Sequence, residues 1–581
     1  MVDREEKILK GTAISEGIAI GVVFFLQPEE KKIPEFSITS NQVDGEIARY
    51  RDALFSSRED LKQLKGHLAE ESSSDAEAII DSHIYMLDDP LITEHMEEKI
   101  RQSLQNPEAV FQSVIHDYGK RFSQRTDPFF QDRLVDVMDL AQRVLGHLCP
   151  SKGTSLSQVP FNSAVFAKEL IPSQIAAAQS SRICAFVTKS SGGHSHGALI
   201  ARAKGIPYVG GIDIDCWQES SIRCVIVDGQ AGEVIINPTS QTIEKYKQRK
   251  TRLKASYHLL QKESEYDVET IDGYPVSIYA NIGHPDEWES AKETHPEGIG
   301  LFRSEYLFLQ RRHLASSEEE QYEVYSTLVR SMQGLPCVIR VFDIGGDKTP
   351  QWMVEEEANP VFGCRGIRFL LHHPELFKTQ LRAILRAAVH GDLRILLPLI
   401  SDRHEIDAVK RYKEEVAQSL SREGIPHKKE IPLGCMIELP SAVLLCDILA
   451  KQCDFLSIGT NDLVQYTLGV DRNHPSMSDA CYPAHPSVIR MIKMVAIQSQ
   501  REAKSVTICG EIASNPLFIP LLIGLGVSQF SCSPRYIPLV KRAVRNVTFL
   551  SAFELAEKVL TLDATEAVMQ ALTEFENKNS S

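Results

Sequence analysis

The sequence predicts a multidomain α/β protein whose C-terminal half is a (β/α)8 TIM barrel. Three observations carry that expectation. The chain has 581 residues, enough for several domains at roughly 100–200 residues each. From Tyr274 to Ser533, eight strand-like runs recur, spaced by amphipathic helical stretches. Ahead of them, a glycine-poor helical region separates two strand-rich ones, so the N-terminal half is built differently.

Composition narrows the class. Hydrophobic residues make up 43% and charged residues 24% of the chain, the balance of a soluble globular protein. A net charge of −15 argues against a nucleic-acid binder that works by neutralising phosphates. The 12 cysteines include no Cys-x-x-Cys pair, so reduced thiols in a cytoplasmic protein are expected rather than a disulfide framework or zinc site. MVDREEKILK carries no signal-peptide core, and IAIGVVFFL (Ile18–Leu26) is too short to span a bilayer. No membrane insertion is expected.

Taken in order, the opening reads as strand to about Gln27, ending in that β-branched run. Val43, Ile47, Tyr50, Leu54, Leu61, Leu64 and Leu68 then fall at helical spacing on one stripe. AEAIIDSHIYMLDD and DRLVDVMDLAQRVLGHL continue the helical pattern to about Leu148, which predicts a bundle. Short strands return from about Pro160 to Pro238: ICAFV, then CVIVDGQAGEVIINP as a hairpin around Asp-Gly. HGALIARAKGIP is a short helix with Gly205 past its end and Pro207 beyond. KYKQRKTRLK (Lys245–Lys254) lies in a helical linker over 239–265, where a solvated basic face is expected.

The eight later runs are YPVSIYANIG, GIGLFRSE, PCVIRVFDIGG, LRILLPLI, IPLGCMIELP, DFLSIGTNDL, SVTICGEI and GVSQFSCS. In a (β/α)8 barrel, chemistry collects at the C-terminal strand ends. There this chain places Arg303 and Glu305, Arg340, Asp343 and Lys348, Arg365, Glu438, Asn461 and Asp462, Arg472, and Cys509 with Glu511. Singly, each has an ordinary explanation: Arg303 can pair with Glu305, Asp462 can cap a helix, and a lone cysteine is usually buried structure. Together they put many charges on one face, and unpaired buried charge is costly. Arginines and Lys348 suit a phosphate and a carboxylate. Glu438 and Asp462 can share one hard cation such as Mg2+. A small carboxylated dianion fits, and Cys509 is a possible proton donor.

One further motif stands outside the barrel, SSGGHSHGALIARAKG (Ser190–Gly205). Its histidines, His194 and His196, have two readings on the residues alone: solvated turn residues or chemical groups. Helix geometry favours His196, because an added phosphate there meets free backbone N–H groups at the helix start.

GLFRSEYLF, DIGGDK, NPVFGCRGIR, DFLSIGTNDLVQYTLGVDR and CGE, in that order and approximate spacing, resemble the enzyme I family of the bacterial phosphoenolpyruvate-dependent phosphotransferase system, among the PEP-utilizing enzymes. The likeness extends through NPTS, the histidine motif and EAIIDSHIYMLDD, essentially the whole chain. It implies a swivelling phosphohistidine α/β domain (1–27 and 150–238), an inserted α-helical bundle that binds the carrier protein HPr (28–149), the linker (239–265), and a barrel for phosphoenolpyruvate binding and dimerisation (266–581). By motif position, Arg303, Arg340, Arg365, Lys348, Asn461 and Arg472 would hold phosphoenolpyruvate, Glu438 and Asp462 the Mg2+, and Cys509 would protonate the leaving enolpyruvate. Aligned on SHGALIAR, His196 is the phosphoacceptor. His194 stands where the family has threonine, Ser191 replaces a glycine, and Ile171 replaces a threonine that bonds the resting histidine. The implied activity is phosphoryl transfer from phosphoenolpyruvate to His196 and on to HPr, releasing pyruvate, in support of sugar transport. Asp75, Glu77, Asp81, Asp88 and Asp89 around His83 would form the acidic docking face for HPr, with Pro90 and Leu91 where relatives tend to be acidic.

Two other readings are separable. A pyruvate phosphate dikinase or phosphoenolpyruvate synthase needs an ATP-binding domain, and no glycine-rich phosphate loop precedes the histidine motif. A degenerate relative that only docks partners has no need to keep Glu438, Asp462 and Cys509 together.

Overall fold

The computed structural model describes residues 6–26, 34–70, 80, 83–84, 86–87, 89, 92–123, 128–149, 159–171, 174–175, 178, 182–190, 196–214, 222, 224–263, 265, 267–305, 307, 316–345, 363–470 and 482–579. Some helical side chains, that of His196 among them, are also outside the described set. The chain forms two compact units that divide at Ala255 and Ser256.

In the first unit, apolar runs build strands that bury both faces at the centre of the sheet, while Lys7–Lys10 and the start of Thr12–Ser15 stay exposed at its edges. The strands are β1 (Lys7–Lys10), β2 (Thr12–Ser15), β3 (Ile18–Phe25), β4 (Ser163–Ala167), β5 (Ile183–Thr188), β6 (Tyr208–Gly210), β7 (Val225–Asp228) and β8 (Glu233–Ile236). They make one mixed sheet in the order β1-β8-β7-β3-β4-β5-β6-β2. β3 to β6 run parallel, and β7 and β8 form the antiparallel hairpin expected from Asp-Gly. The period of two is visible in β4: Val165 and Ala167 enter the core shared with the helices, while Ala164 and Phe166 enter the opposite core. Between β3 and β4 the chain inserts α1 (Val43–Glu70), α2 (Glu94–Ser103), α3 (Pro107–Ser123) and α4 (Pro128–Leu148). The stripe read from the sequence is the buried one, from Val43 through Tyr50 to Leu64, and the Tyr50 hydroxyl donates to the Ile92 carbonyl at 2.5 Å.

Between β5 and β6 lies α5 (His196–Ala203), and after β8 comes α6 (Ser240–Glu263). Gly205 terminates α5 at φ +62°, as its place in the sequence requires. The basic helix α6 is more than a solvated face. Tyr246 and Ile243 pack on Ile18, Ile226 and Ile235, and the Arg249 guanidinium donates to fully buried Asp228 at 2.5 Å.

The second unit contains a closed barrel of eight parallel strands: β9 (Ser277–Ile282), β10 (Ile299–Arg303), β11 (Cys337–Arg340), β12 (Leu393–Leu397), β13 (Leu433–Ile437), β14 (Phe455–Ile458), β15 (Ser505–Ile508) and β16 (Gln529–Cys532). All eight expected strands are present. Its longer helices are α7 (Glu318–Ser331), α8 (Pro374–Ala387), α9 (Arg403–Arg422), α10 (Cys446–Gln452), α11 (Thr460–Leu468), α12 (Pro486–Arg501), α13 (Ile537–Arg545), α14 (Phe549–Leu560) and α15 (Thr565–Asn579). Capping boxes start two of them, Ser317 with Glu320 and Asp402 with Glu405. No described helix is long and apolar enough to cross a membrane.

Candidate active site at the barrel mouth

Strands β10, β11, β13, β14 and β15 deliver polar residues at or just beyond their last paired positions. Arg303 and Arg340 end β10 and β11 in register with each other. Arg303 is exposed, with no ion pair among the described residues, whereas Arg340 is buried. Glu305 does not pair with Arg303, as local spacing had suggested. Its carboxylate accepts from Arg340 Nε at 2.9 Å and from the Asp343 backbone N–H at 3.1 Å. Proximity across the strands outweighs proximity in sequence.

Asp343, 1% exposed, takes both arms of Arg365, from Nε at 3.1 Å and Nη2 at 3.0 Å. Arg365 Nη2 also lies 3.5 Å from Asp462 Oδ1, in the first turn of α11. That oxygen is buried and has no hydrogen-bond partner among the described residues. Glu438 follows β13, is 1% exposed, and accepts the Leu399 N–H at 2.7 Å. Leu399 makes this bond from a left-handed conformation, φ +52°, unusual for a branched residue. Gly459 makes room alongside: a Cβ there would lie 2.5 Å from Glu438 Oε2.

The buried cluster therefore holds two guanidinium groups, Arg340 and Arg365, against four carboxyl groups, Glu305, Asp343, Glu438 and Asp462. Burial, then the charges of Asp462 and Asp343, push the Glu438 carboxyl up to about 8; Arg340 and the Leu399 N–H pull the other way. A divalent cation beside the Glu438 and Asp462 oxygens would balance this charge, and hard carboxylate oxygens are the right donors for Mg2+. The residues present fit such an ion.

Asn461 stands at the rim, exchanging two hydrogen bonds with Glu511: its side-chain amide donates to the carboxylate at 3.3 Å, and the Glu511 N–H donates back at 3.0 Å. Cys509 lies deeper, among Leu301, Val338, Leu396, Met436 and Phe455, and burial pushes its thiol up to about 11. Glu438, Arg340 and Arg303 all act on it electrostatically. Of the other site residues expected, Lys348 and Arg472 lie outside the described residues. So do Ser191 and His194; His196 is described by its backbone, the first residue of α5. Ile171 is described, and its N–H donates to Gln174 Oε1 at 3.3 Å.

A supporting layer was not read from the sequence. The Ser304 hydroxyl donates to the Arg340 carbonyl at 2.6 Å, and Gln380, from α8, donates to Ser304 Oγ and Tyr325 OH, both at 3.1 Å. Gln380 Oε1 accepts the Phe342 N–H at 3.1 Å. This buried network holds the segment that presents Arg340 and Asp343. A fully buried glutamine inside the apolar stripe of α8 was the signal available.

Three domain models match in chain order. They are the PEP-utilising enzyme N-terminal domain over residues 10–133, the mobile domain over 160–232, and the PEP-binding domain over 258–549. Relatives align end to end. The phosphoenolpyruvate-protein phosphotransferase of Staphylococcus carnosus (strain TM300) is 34% identical over 570 residues, 98% of this chain and 99% of that protein. Those of Bacillus sp. (strain S) and Geobacillus stearothermophilus are each 35% identical over 565 residues, 97% of both chains. With the barrel-mouth cluster, the ordered domain matches and this full-length similarity in hand, the chain belongs to the phosphoenolpyruvate-protein phosphotransferase (enzyme I) family.

Proposed function

We propose that this protein transfers the phosphoryl group of phosphoenolpyruvate to its own His196 and then to the histidine of HPr, releasing pyruvate. The observation that carries the reading is the charge imbalance at the barrel mouth, where Glu438 and the buried Asp462 carboxylate form an oxygen-donor set beside two buried arginines. Bound there, Mg2+ would supply positive charge to the phosphate oxygens as the phosphoryl group leaves. Arg303, Arg340, Arg365, Lys348, Asn461 and Arg472 bind and orient the carboxylate and phosphate. Among the described members Arg303 is the exposed one, available to an incoming anion. His196 attacks phosphorus in line, and its place as the first residue of α5 sets the new phosphohistidine at the positive end of the helix dipole. Cys509 returns a proton to the enolate carbon.

The acidic segment around His83 is the proposed HPr surface. His83 itself is buried beside Asp139, Nδ1 to Oδ2 at 3.8 Å, so it is a packing residue and the docking charge comes from its neighbours. Asp89 is described; Asp75, Glu77, Asp81 and Asp88 lie outside the described residues. Exposed Ile448, Met494, Ile497, Leu550 and Phe553 on the neighbouring helices α10, α12 and α14 support a homodimer through the barrel. The work is cytoplasmic, in service of sugar uptake.

The test is incubation of the full-length protein with radiolabelled phosphoenolpyruvate and Mg2+, without ATP. Acid-labile, base-stable label is expected on the parent and on His194→Ala, and none on His196→Ala. An unlabelled parent would leave only a docking role. Phosphoenolpyruvate made from ATP and pyruvate would place the chain with the dikinases.

A further inference from the structure

Cys509 is held by more than its apolar surroundings. Its backbone N–H donates to the Ile458 carbonyl at 3.1 Å, and its thiol reaches the same carbonyl at 3.5 Å. Its own carbonyl accepts from Asn281 Nδ2 at 3.0 Å. Asn281 also donates to the Ser531 carbonyl at 3.0 Å, and the Ser531 hydroxyl donates to Asn281 Oδ1 at 2.5 Å. Position 509 is thus fixed from β14 on one side and from β9 and β16 on the other. The remaining contact is the informative one: the Ser457 hydroxyl donates to the Cys509 sulfur at 3.2 Å.

A serine inside a barrel strand ordinarily satisfies its hydroxyl on a backbone carbonyl, a far better acceptor than a thiol. Ser457 is 2% exposed and faces the sulfur instead. A neutral thiol gains little from such a donor. A sulfur that has just lost its proton gains much more, since it then carries charge among Leu301, Val338, Leu396, Met436 and Phe455.

We propose that Ser457 is the positioning residue for the protonation half of the reaction, fixing the Cys509 sulfur in the resting site and donating to it as its proton departs. The inference rests on the reading of Cys509 as the proton donor. In the step, the C2–C3 π pair of the enolate forms the new C3–H bond and the enolate oxygen becomes the ketone of pyruvate. The S–H bond breaks with its electron pair left on sulfur, where the Ser457 O–H bond strengthens. Water then returns a proton to sulfur. The direction of the hydroxyl's effect agrees, since Ser457 pulls the thiol down against the upward push of burial.

Two rates of the full-length protein with Mg2+ test this. One is single-turnover labelling by radiolabelled phosphoenolpyruvate. The other is exchange of pyruvate methyl hydrogens with D2O, followed by NMR, which runs the protonation step without phosphoryl transfer. Ser457→Ala is expected to slow exchange about tenfold relative to labelling, the worth of one hydrogen bond to a charged group. Ser457→Thr, which keeps the hydroxyl, should restore most of it. In a Cys509→Ala background, Ser457→Ala should change exchange by no more than about twofold. Parent-like exchange in Ser457→Ala, failure of the threonine to rescue, or an equal loss without Cys509 would each overturn the role of Ser457. Parent-like exchange in Cys509→Ala is a different failure, because it removes the proton donor and the inference with it.

Discussion

Glu438 carries a charge problem that its neighbours create. Its folded carboxyl sits well above the ordinary 4.5, at about 8, because it is buried among other acids. The sign of the consequence is fixed. The stability tied to the protonated carboxyl is fully present below pH 4.5 and is lost as pH rises through about 8. Thermal unfolding of the metal-free protein should therefore show stability falling across that window, with the slope reduced in Glu438→Gln and offset by added Mg2+ at the alkaline end. Glu438→Gln should also lower phosphoenolpyruvate-dependent labelling by about 100-fold or more, the scale expected when a cation loses a ligand. A slope unchanged by the substitution would mean that other carboxyl groups set it.

At the scale of elements, the ends of β13 and β14 shape the proposed cation site through a missing side chain. Gly459 has φ −88°, a conformation open to alanine, so its role is space rather than backbone freedom. Gly459→Ala should fold but displace the Glu438 carboxylate, and calorimetry should show Mg2+ affinity reduced at least about tenfold. Unchanged affinity would show that the carboxylate can move aside at no loss. Much at this scale was legible beforehand. The eight strands followed from alternating β-branched runs, and their chemistry from charged residues placed where apolar runs stop. What sequence could not supply were pairings made across strands. Nothing local says that Glu305 prefers Arg340 to Arg303, that Leu399 adopts a left-handed turn to reach Glu438, or that Ser457 bonds a sulfur at position 509. Each depends on register and closure, which emerge only when the sheet curls into a barrel. Likewise the basic run of α6 read as a solvated face, because its buried partner, Asp228, precedes it in a hairpin of the other architecture.

For the whole molecule, that partnership matters most. Asp228 is wholly buried and receives Arg249 together with the N–H groups of Gln230 and Ala231. Arg249→Ala leaves those two bonds but removes the charge partner of a buried carboxylate, and should destabilise the first unit by about 1 kcal/mol, since Arg249 is itself half exposed. Differential scanning calorimetry should show the transition of that unit moving down while the barrel transition stays in place; a shift in both would mean that the units unfold as one. The same helix continues unbroken past Ala255, where the first unit ends. Most of α6, Ser240 to Ala255, thus belongs to the module that bears His196, and the remainder leads into the barrel chain. If the proposed phosphoryl transfer holds, covalent linkage gives His196 and the barrel a local concentration set by chain length, independent of how dilute the protein is. Cutting that linkage would turn a first-order handover into a second-order encounter between strangers.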